Sequence, residues 1–204
     1  LAHTDLASNT SYVWELIPEP EAVDKAFAEA THHITERYLQ QRLIPSAMEP
    51  RGVAVVPQPQ GGEITIWSAT QIPHILKLMI AATTGTPEHK VRVIAPSVGG
   101  GFGCKLNVYA EEIVAVILAK HHGVPVRWTE ERTEAASSTI QGRGQVQDIE
   151  LAADADGRVT AVRAKLLADM GPYLQLVTPR IPLLRAFLYH GDYDNQTKSI
   201  TCQA

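Results

Sequence analysis

The chain has 204 residues, which is enough for one large domain or two small ones with a buried core. Hydrophobic residues make up 45% of the chain and charged residues 20%, so the disordered and disulfide-rich classes are excluded. The net charge is −4 and no cluster of lysine and arginine occurs, so we expect neither a nucleic acid nor a membrane surface as partner.

The first part of the chain predicts a helix and then a hairpin. Apolar residues at helical spacing predict a short amphipathic helix over 20–30, and the pattern becomes extended over 31–43. Two strands, 53–56 and 63–67, are separated by a turn rich in proline and glycine, which is typical of a hairpin. The second strand ends at Ser68-Ala69-Thr70-Gln71.

The middle of the chain predicts a strand, a glycine loop and a helix. A helix over 72–80 ends at Gly85, and a strand follows over 91–95. The glycine loop is Gly99-Gly100-Gly101-Phe102-Gly103. The next helix, 109–119, is so apolar that we expect it to be buried on most of its faces.

The last part of the chain predicts strands. One is expected over 124–128, two more over 145–151 and 159–167 flank an Asp-Gly turn, and another begins at residue 198. Helices and strands mix without a regular alternation, which favours the α+β class over a doubly wound sheet. A boundary between sub-regions is expected near residues 141–144.

The glycine loop suits an electronegative ligand, because glycines let backbone N–H groups approach a ligand closely. Its place between a strand and a helix favours phosphate. However, the P-loop signature fails at Cys104-Lys105-Leu106, and the dinucleotide fingerprint lacks its third glycine in either register. The loop could therefore belong to a nucleotide- or phosphate-binding module of another kind, or to a structural or interaction domain in which it is only a tight turn.

Three motifs, in their order and spacing, resemble the molybdenum-cofactor-binding subunit of the xanthine dehydrogenase family. They are Met48-Glu49-Pro50-Arg51-Gly52, Trp67-Ser68-Ala69-Thr70-Gln71 and the glycine loop followed by Cys104-Lys105. Further matching segments are 124–128, 130–132 and 167–171. The resemblance covers nearly the whole chain, and it is strongest to the carbon monoxide dehydrogenase large chain and its relatives.

The resemblance implies a molybdenum-molybdopterin cofactor, usually in its cytosine dinucleotide form. It implies that Gln71 donates a hydrogen bond to an oxo ligand of the metal, and that Phe102 and Gly103 lie beside the metal with free backbone N–H groups. Gln71 and Phe102 are thus the expected catalytic residues. Gln71, Phe102 and the glycines Gly100, Gly101 and Gly103 are the expected cofactor-binding residues. No side chain is expected to bind the metal directly.

The resemblance also implies an activity and an assembly. The parent enzyme would oxidise a small substrate, such as carbon monoxide or an aldehyde, with water as the oxygen source. Electrons would leave through a [2Fe-2S] small subunit to an FAD-binding medium subunit, in a dimer of heterotrimers. Leu106 stands where purine-oxidising relatives have a glutamate that orients the heterocycle, so we expect purines to be poor substrates. Alternatively, Leu106 only packs under the following helix.

The chain is expected to be part of a longer subunit, because it begins with Leu1 and ends in a strand pattern without a stop signal. Residues 1–204 contain neither the glutamate that serves the family as general base nor its Ala-Tyr-Arg segment. We therefore expect these residues alone to supply part of the pocket, to be inactive and not to retain the cofactor.

Cysteine and histidine usage gives no further site. The two cysteines form no C-x-x-C pair, which fits a reducing compartment, and no signal peptide opens the chain, so a cytoplasmic location is expected. Cys104 is interpreted as a tolerated small residue rather than a nucleophile. The eight histidines lack zinc-ligand spacing.

Overall fold

The computed structural model describes residues 1–189, 191 and 197–204. The helices in this part are α1 (Pro20–Glu29), α2 (Pro73–Thr84), α3 (Ala110–His122), α4 (Arg132–Ser138) and α5 (Arg180–Ala186), with a 3-10 turn at Glu88–Lys90. The strands are β1 (Val13–Leu16), β2 (His32–Leu43), β3 (Gly52–Pro57), β4 (Ile64–Ser68), β5 (Val91–Ile94), β6 (Val126–Thr129), β7 (Gly142–Ala153), β8 (Val159–Ala168) and β9 (Lys198–Gln203). They form two compact units: the first is Leu1–Leu43 with Arg143–Ala204, and the second is Ile44–Gly142.

The first unit contains a five-stranded mixed sheet in the order β1-β9-β8-β7-β2. Strands β7 and β8 form the predicted antiparallel hairpin, and β9 pairs parallel with β8. The turn of the hairpin is held by Asp154, whose Oδ1 accepts the backbone N–H groups of Asp156 at 3.0 Å and Arg158 at 2.9 Å. Buried Ala164 and Ile200 form the centre of the core of the first unit.

The second unit contains a four-stranded mixed sheet in the order β5-β4-β3-β6. Strands β3 and β4 form the predicted hairpin, and β5 lies parallel to β4 after the crossover through α2. Alternate residues of β3 and β4 face the core, as the period-two pattern requires. The core consists of Val53, Val55, Ile64, Ile66, Leu76, Ile80, Val91, Ala115, Val116 and Ala119. The two mixed sheets with packed helices confirm the predicted α+β class.

Helix α3 differs from its expected burial. Val116 and Ala119 are buried in the core, but Val114, Ile117 and Leu118 are exposed by 41–49% of their surface. The expectation of burial on most faces was wrong, because within the second unit α3 packs through one side only. Among the described residues, no helix is long and apolar enough to cross a membrane.

Among the described elements, the sequence predicted neither β1, α4 and α5 nor the 3-10 turn at Glu88–Lys90. Helix α4 has the sequence Arg-Thr-Glu-Ala-Ala-Ser-Ser, which carries no apolar periodicity. It is defined instead by its N-terminus, where the Glu134 carboxylate accepts the backbone N–H of Glu131 at 2.7 Å in a capping box.

Two adjacent valines of β3 test the position of the core. Val55 is fully buried and Val56 is 37% exposed. We expect Val55→Ala to lower the free energy of unfolding by about 2 kcal/mol, because it removes buried methyl groups and leaves a cavity. Val56→Ala is the matched control and should change it by less than about 0.5 kcal/mol. Denaturant unfolding of both variants checks this, and equal losses would contradict the assigned strand faces.

Candidate functional site

The glycine loop (residues 99–103) exposes an aromatic ring on a strained backbone. Phe102 has a φ of 51°, which is uncommon for a residue with a side chain, and 77% of its surface is exposed. The flanking Gly100 and Gly103 have φ values of 94° and 96°, a region that favours glycine. A Cβ on Gly100 would lie 3.0 Å from the Phe102 ring, so the ring lies over this glycine. Strain of this kind is typical of functional loops.

Gln71, just beyond the end of β4, is fastened to this loop. Its Oε1 accepts the backbone N–H of Gly103 at 3.1 Å and that of Lys105 at 3.3 Å. Because two N–H donors require an acceptor, the amide oxygen faces them and the NH2 group does not. Gly101 leaves room for the amide, since a Cβ there would overlap Gln71 Oε1. The exposed Gln71 therefore keeps its NH2 group available to a ligand.

The structure thus brings together all the residues that the sequence predicted for the site, but it changes the role of one N–H group. The N–H of Gly103 is not free, since it donates to Gln71. The N–H of Gly99 donates to Glu49, and that of Cys104 donates to the Gly101 carbonyl. Within the described residues, the N–H groups of positions 100–102 donate to no protein acceptor, and of these three residues Phe102 is exposed, Gly100 is half-buried and Gly101 is buried.

Glu49 and Lys105 form an ion pair behind the loop. Glu49 Oε2 accepts from Lys105 Nζ at 2.8 Å and from the backbone N–H of Gly99 at 2.7 Å. The Lys105 side chain is only 1% exposed. Burial alone would raise the pKa of the Glu49 carboxyl, but the hydrogen bonds from Lys105 and Gly99, with the Lys105 charge, hold that pKa below its ordinary value.

A second ion pair, between Arg51 and Glu130, is almost fully buried. Arg51 Nε donates to Glu130 Oε1 at 2.8 Å, and both side chains are almost fully buried. The Arg51 guanidinium also contacts Glu111 Oε1 at 3.3 Å. It stacks on Tyr109, with Arg51 Cζ 3.7 Å from the centre of the ring. Although burial opposes the charge, the hydrogen bonds to Glu130 and Glu111 raise the pKa of Arg51.

Arg132 binds the main chain directly before Glu49. Its guanidinium donates to the carbonyl of Ala47 at 2.7 Å and to that of Met48 at 3.0 Å. Two consecutive carbonyls are therefore fixed directly before Glu49.

The N-terminus of α3 is not available to an anion. The Glu112 carboxylate accepts from the Ser68 hydroxyl at 2.6 Å and from the backbone N–H of Tyr109 at 3.1 Å. Burial raises the pKa of Glu112, against these two hydrogen bonds. The glycine loop is separated from this terminus by residues 104–109, so the phosphate-binding alternative loses the helix end on which it depended.

Cys104 has the environment of a structural residue. It is buried, and its burial raises the pKa of the thiol. Its Sγ lies 3.7 Å from the carbonyl of Pro45. Within the described part of the chain, no group of histidine, cysteine and acidic residues could hold a metal ion.

Glu49, Arg51 and Lys105 lie within the sequence motifs, but the sequence did not predict a role for them. Their signal was the presence of charged residues among apolar residues, glycine and proline, where a buried charge needs a partner. Fold and site together define a domain that offers one fixed primary amide and several backbone N–H groups to an electronegative ligand.

Comparison of the chain with known proteins identifies the family to which this domain belongs. Residues 3–204 match the molybdopterin cofactor-binding domain, and the chain belongs to that family. The carbon monoxide dehydrogenase large chain of Afipia carboxidovorans is 37% identical over 165 residues, covering 81% of this chain and 20% of that protein. Subunit gamma of the 6-hydroxypseudooxynicotine dehydrogenase complex of Paenarthrobacter nicotinovorans is 36% identical over 171 residues, covering 84% and 21%.

Solved structures agree with this assignment. Quinoline 2-oxidoreductase from Pseudomonas putida 86 superposes with a TM-score of 0.85 at 29% identity, over 98% of this chain and 25% of that one. CO dehydrogenase from Oligotropha carboxidovorans superposes with a TM-score of 0.81 at 32% identity, over 96% and 24%. The chain therefore spans about a fifth to a quarter of the length of these relatives.

Gly101→Ala tests the packing of the amide on the loop. The new Cβ would overlap the amide oxygen, so we expect Gln71 to move and the N–H groups of Gly103 and Lys105 to lose their acceptor. Hydrogen exchange in the peptide 99–105 should then rise about tenfold or more. Gly142→Ala is the control, because a Cβ there meets nothing within 4 Å. Unchanged exchange in Gly101→Ala would contradict the contact.

Proposed function

We propose that residues 1–204 form part of the catalytic pocket of a molybdenum-dependent hydroxylase. The observation that carries the proposal is the arrangement of Gln71, whose amide oxygen is held by the glycine loop while its NH2 group stays available. Membership of the molybdopterin cofactor-binding family supports it. Relatives named as a dehydrogenase large chain and as the nicotine 6-hydroxylase large subunit support the same activity.

The residues present fit a molybdopterin group. Oxygen and sulfur atoms of such a group accept hydrogen bonds, and the site offers neutral donors: the Gln71 amide and the N–H groups of positions 100–102. The loop is also open at Gly103, since no atom lies within 4 Å of a Cβ built there. This position leaves space for a ligand beside the backbone. Neutral donors stabilise electronegative atoms without competing for the metal.

Each residue then has a role. When bound, the cofactor supplies a two-electron redox centre that transfers oxygen from water to the substrate. Gln71 donates a hydrogen bond to an electronegative atom of the cofactor, and Gly100 and Gly101 present backbone N–H groups. Gly103 acts through Gln71, whose oxygen it binds. Phe102 would add its exposed apolar ring beside the bound cofactor, where it would help to exclude water.

The assembly is proposed from the names of relatives. A "large chain" and a "subunit gamma" imply smaller partner subunits, to which we assign FAD and [2Fe-2S] clusters, in a dimer of heterotrimers. We further propose the cytosine dinucleotide form of the cofactor. A cytoplasmic location fits the free thiols of Cys104 and Cys202, because a reducing compartment preserves thiols.

Gln71→Glu in the full-length enzyme tests the proposed function. The variant keeps an oxygen acceptor for the two loop N–H groups but loses the NH2 donor, so turnover should fall on the order of 10–1000-fold at normal molybdenum content. Gln71→Ala should lower turnover similarly and loosen the loop as well. Steady-state kinetics normalised to metal content measure this, and normal turnover of Gln71→Glu would remove Gln71 from the active site.

Leu106 leads to a prediction about substrate class. It is half-buried and cannot accept a hydrogen bond from a heterocycle. Sites built to hydrogen-bond their substrate can discriminate by factors of about 10⁴ or more, so we expect the parent enzyme to oxidise xanthine poorly and to prefer a less polar substrate, such as carbon monoxide or an aldehyde. Kinetics on xanthine and a short aldehyde decide it. A kcat/KM for xanthine equal to or above the aldehyde value would refute this role of Leu106.

A further inference from the structure

One carboxylate holds both ends of the glycine loop. Glu49 Oε2 accepts from the backbone N–H of Gly99 at 2.7 Å, where the loop begins, and from Lys105 Nζ at 2.8 Å, just after it ends. The Glu49 main chain adds a third bond, from its N–H to the Gly99 carbonyl at 3.1 Å. A Cβ on Gly99 would lie 2.6 Å from Glu49 Cβ, so the two backbones are in close contact.

The same lysine is bound to Gln71 through its main chain. The Lys105 carbonyl accepts the backbone N–H of Gln71 at 2.9 Å, and the Lys105 N–H donates to Gln71 Oε1 at 3.3 Å. A shift of Lys105 therefore moves both the backbone and the amide of Gln71. The Lys105 side chain is only 1% exposed, so its ammonium cannot move away from Glu49 without losing the partner of a buried charge. The Glu49 side chain itself is 39% exposed.

We propose that Glu49 and Lys105 are positioning residues, whose ion pair fixes the glycine loop and, through the Lys105 main chain, the direction of the Gln71 NH2 group. The inference rests on the proposed function and extends it to two residues that act through Gln71 and the glycine loop. Burial of an ion pair is a weak source of stability, since apolar residues of similar volume often replace one without loss. Its use here is to define a single loop position, which an apolar contact would define less sharply.

The test uses the full-length enzyme with its cofactor. Lys105→Met and Glu49→Gln are made in the wild-type and in the Gln71→Ala background, and Lys77→Met is the control, because it breaks only the more exposed contact of Lys77 with Glu88 at 3.6 Å. In the wild-type background we expect kcat per molybdenum to fall about 10–100-fold with KM nearly unchanged, since small misplacements of catalytic groups cost that much. In the Gln71→Ala background the same changes should cost about threefold or less.

Hydrogen exchange gives a second measurement that does not depend on activity. Exchange in the peptide 99–105 should rise about tenfold in Lys105→Met and in Glu49→Gln, and not in Lys77→Met. If Lys105→Met does not fold, the measurements on Glu49→Gln alone test the proposal. Glutamine has the shape of glutamate, and its amide oxygen can still accept the backbone N–H of Gly99. Losses of kcat that multiply with that of Gln71→Ala, or unchanged exchange, overturn the positioning role. Absence of molybdenum from the wild-type enzyme overturns the proposed function instead, and hydrogen exchange then decides whether the pair fixes the loop.

Discussion

The ion pair between Arg51 and Glu130 joins the start of β3 to the end of β6, and the part of the second unit that carries the candidate site depends on it. Arg51 precedes β3 and Glu130 follows β6, and their main chains are joined as well, from the Glu130 N–H to the Arg51 carbonyl at 2.9 Å. Contacts of the guanidinium with Glu111 and Ser138 extend this junction to α3 and α4. Removal of Arg51 would leave the buried Glu130 carboxylate without a charged partner, at a cost of about 3–5 kcal/mol. The site is therefore built on a junction that is either complete or strongly destabilised.

Rigidity and ligand chemistry are separated in this arrangement. The cations Arg51 and Lys105 are buried and paired with carboxylates, of which Glu130 is buried while Glu111 and Glu49 stay 33% and 39% exposed. The groups left for a ligand, the Gln71 amide and backbone N–H groups, are neutral. A preorganised neutral surface can follow changes of charge in a bound group without reorganising, whereas a carboxylate there would repel an anionic one.

Local patterns predicted the parts of the fold that bury one face. A valine run and an alternating segment on either side of a turn predicted the hairpin β3–β4, and the Asp-Gly turn predicted β7–β8. Helical spacing predicted α2, because core packing imposes this period directly. The buried charges could not be predicted, since Arg51 and Glu130 are 79 positions apart and charged side chains are normally exposed. The glycine loop was found from its composition, but the use of the Gly103 N–H by Gln71 depends on a side-chain conformation that sequence does not specify.

The close contacts at Gly99 and Gly101 restrict how the pocket can be redesigned. Neither position accepts even a methyl group without displacing Glu49 or Gln71, so the path of the loop is fixed by its neighbours. Phe102 and Leu106, in contrast, already carry side chains, one exposed and the other half-buried. In the proposed pocket, Phe102 and Leu106 are therefore positions where a side chain can be exchanged for another without the clash that a methyl group meets at Gly99 and Gly101.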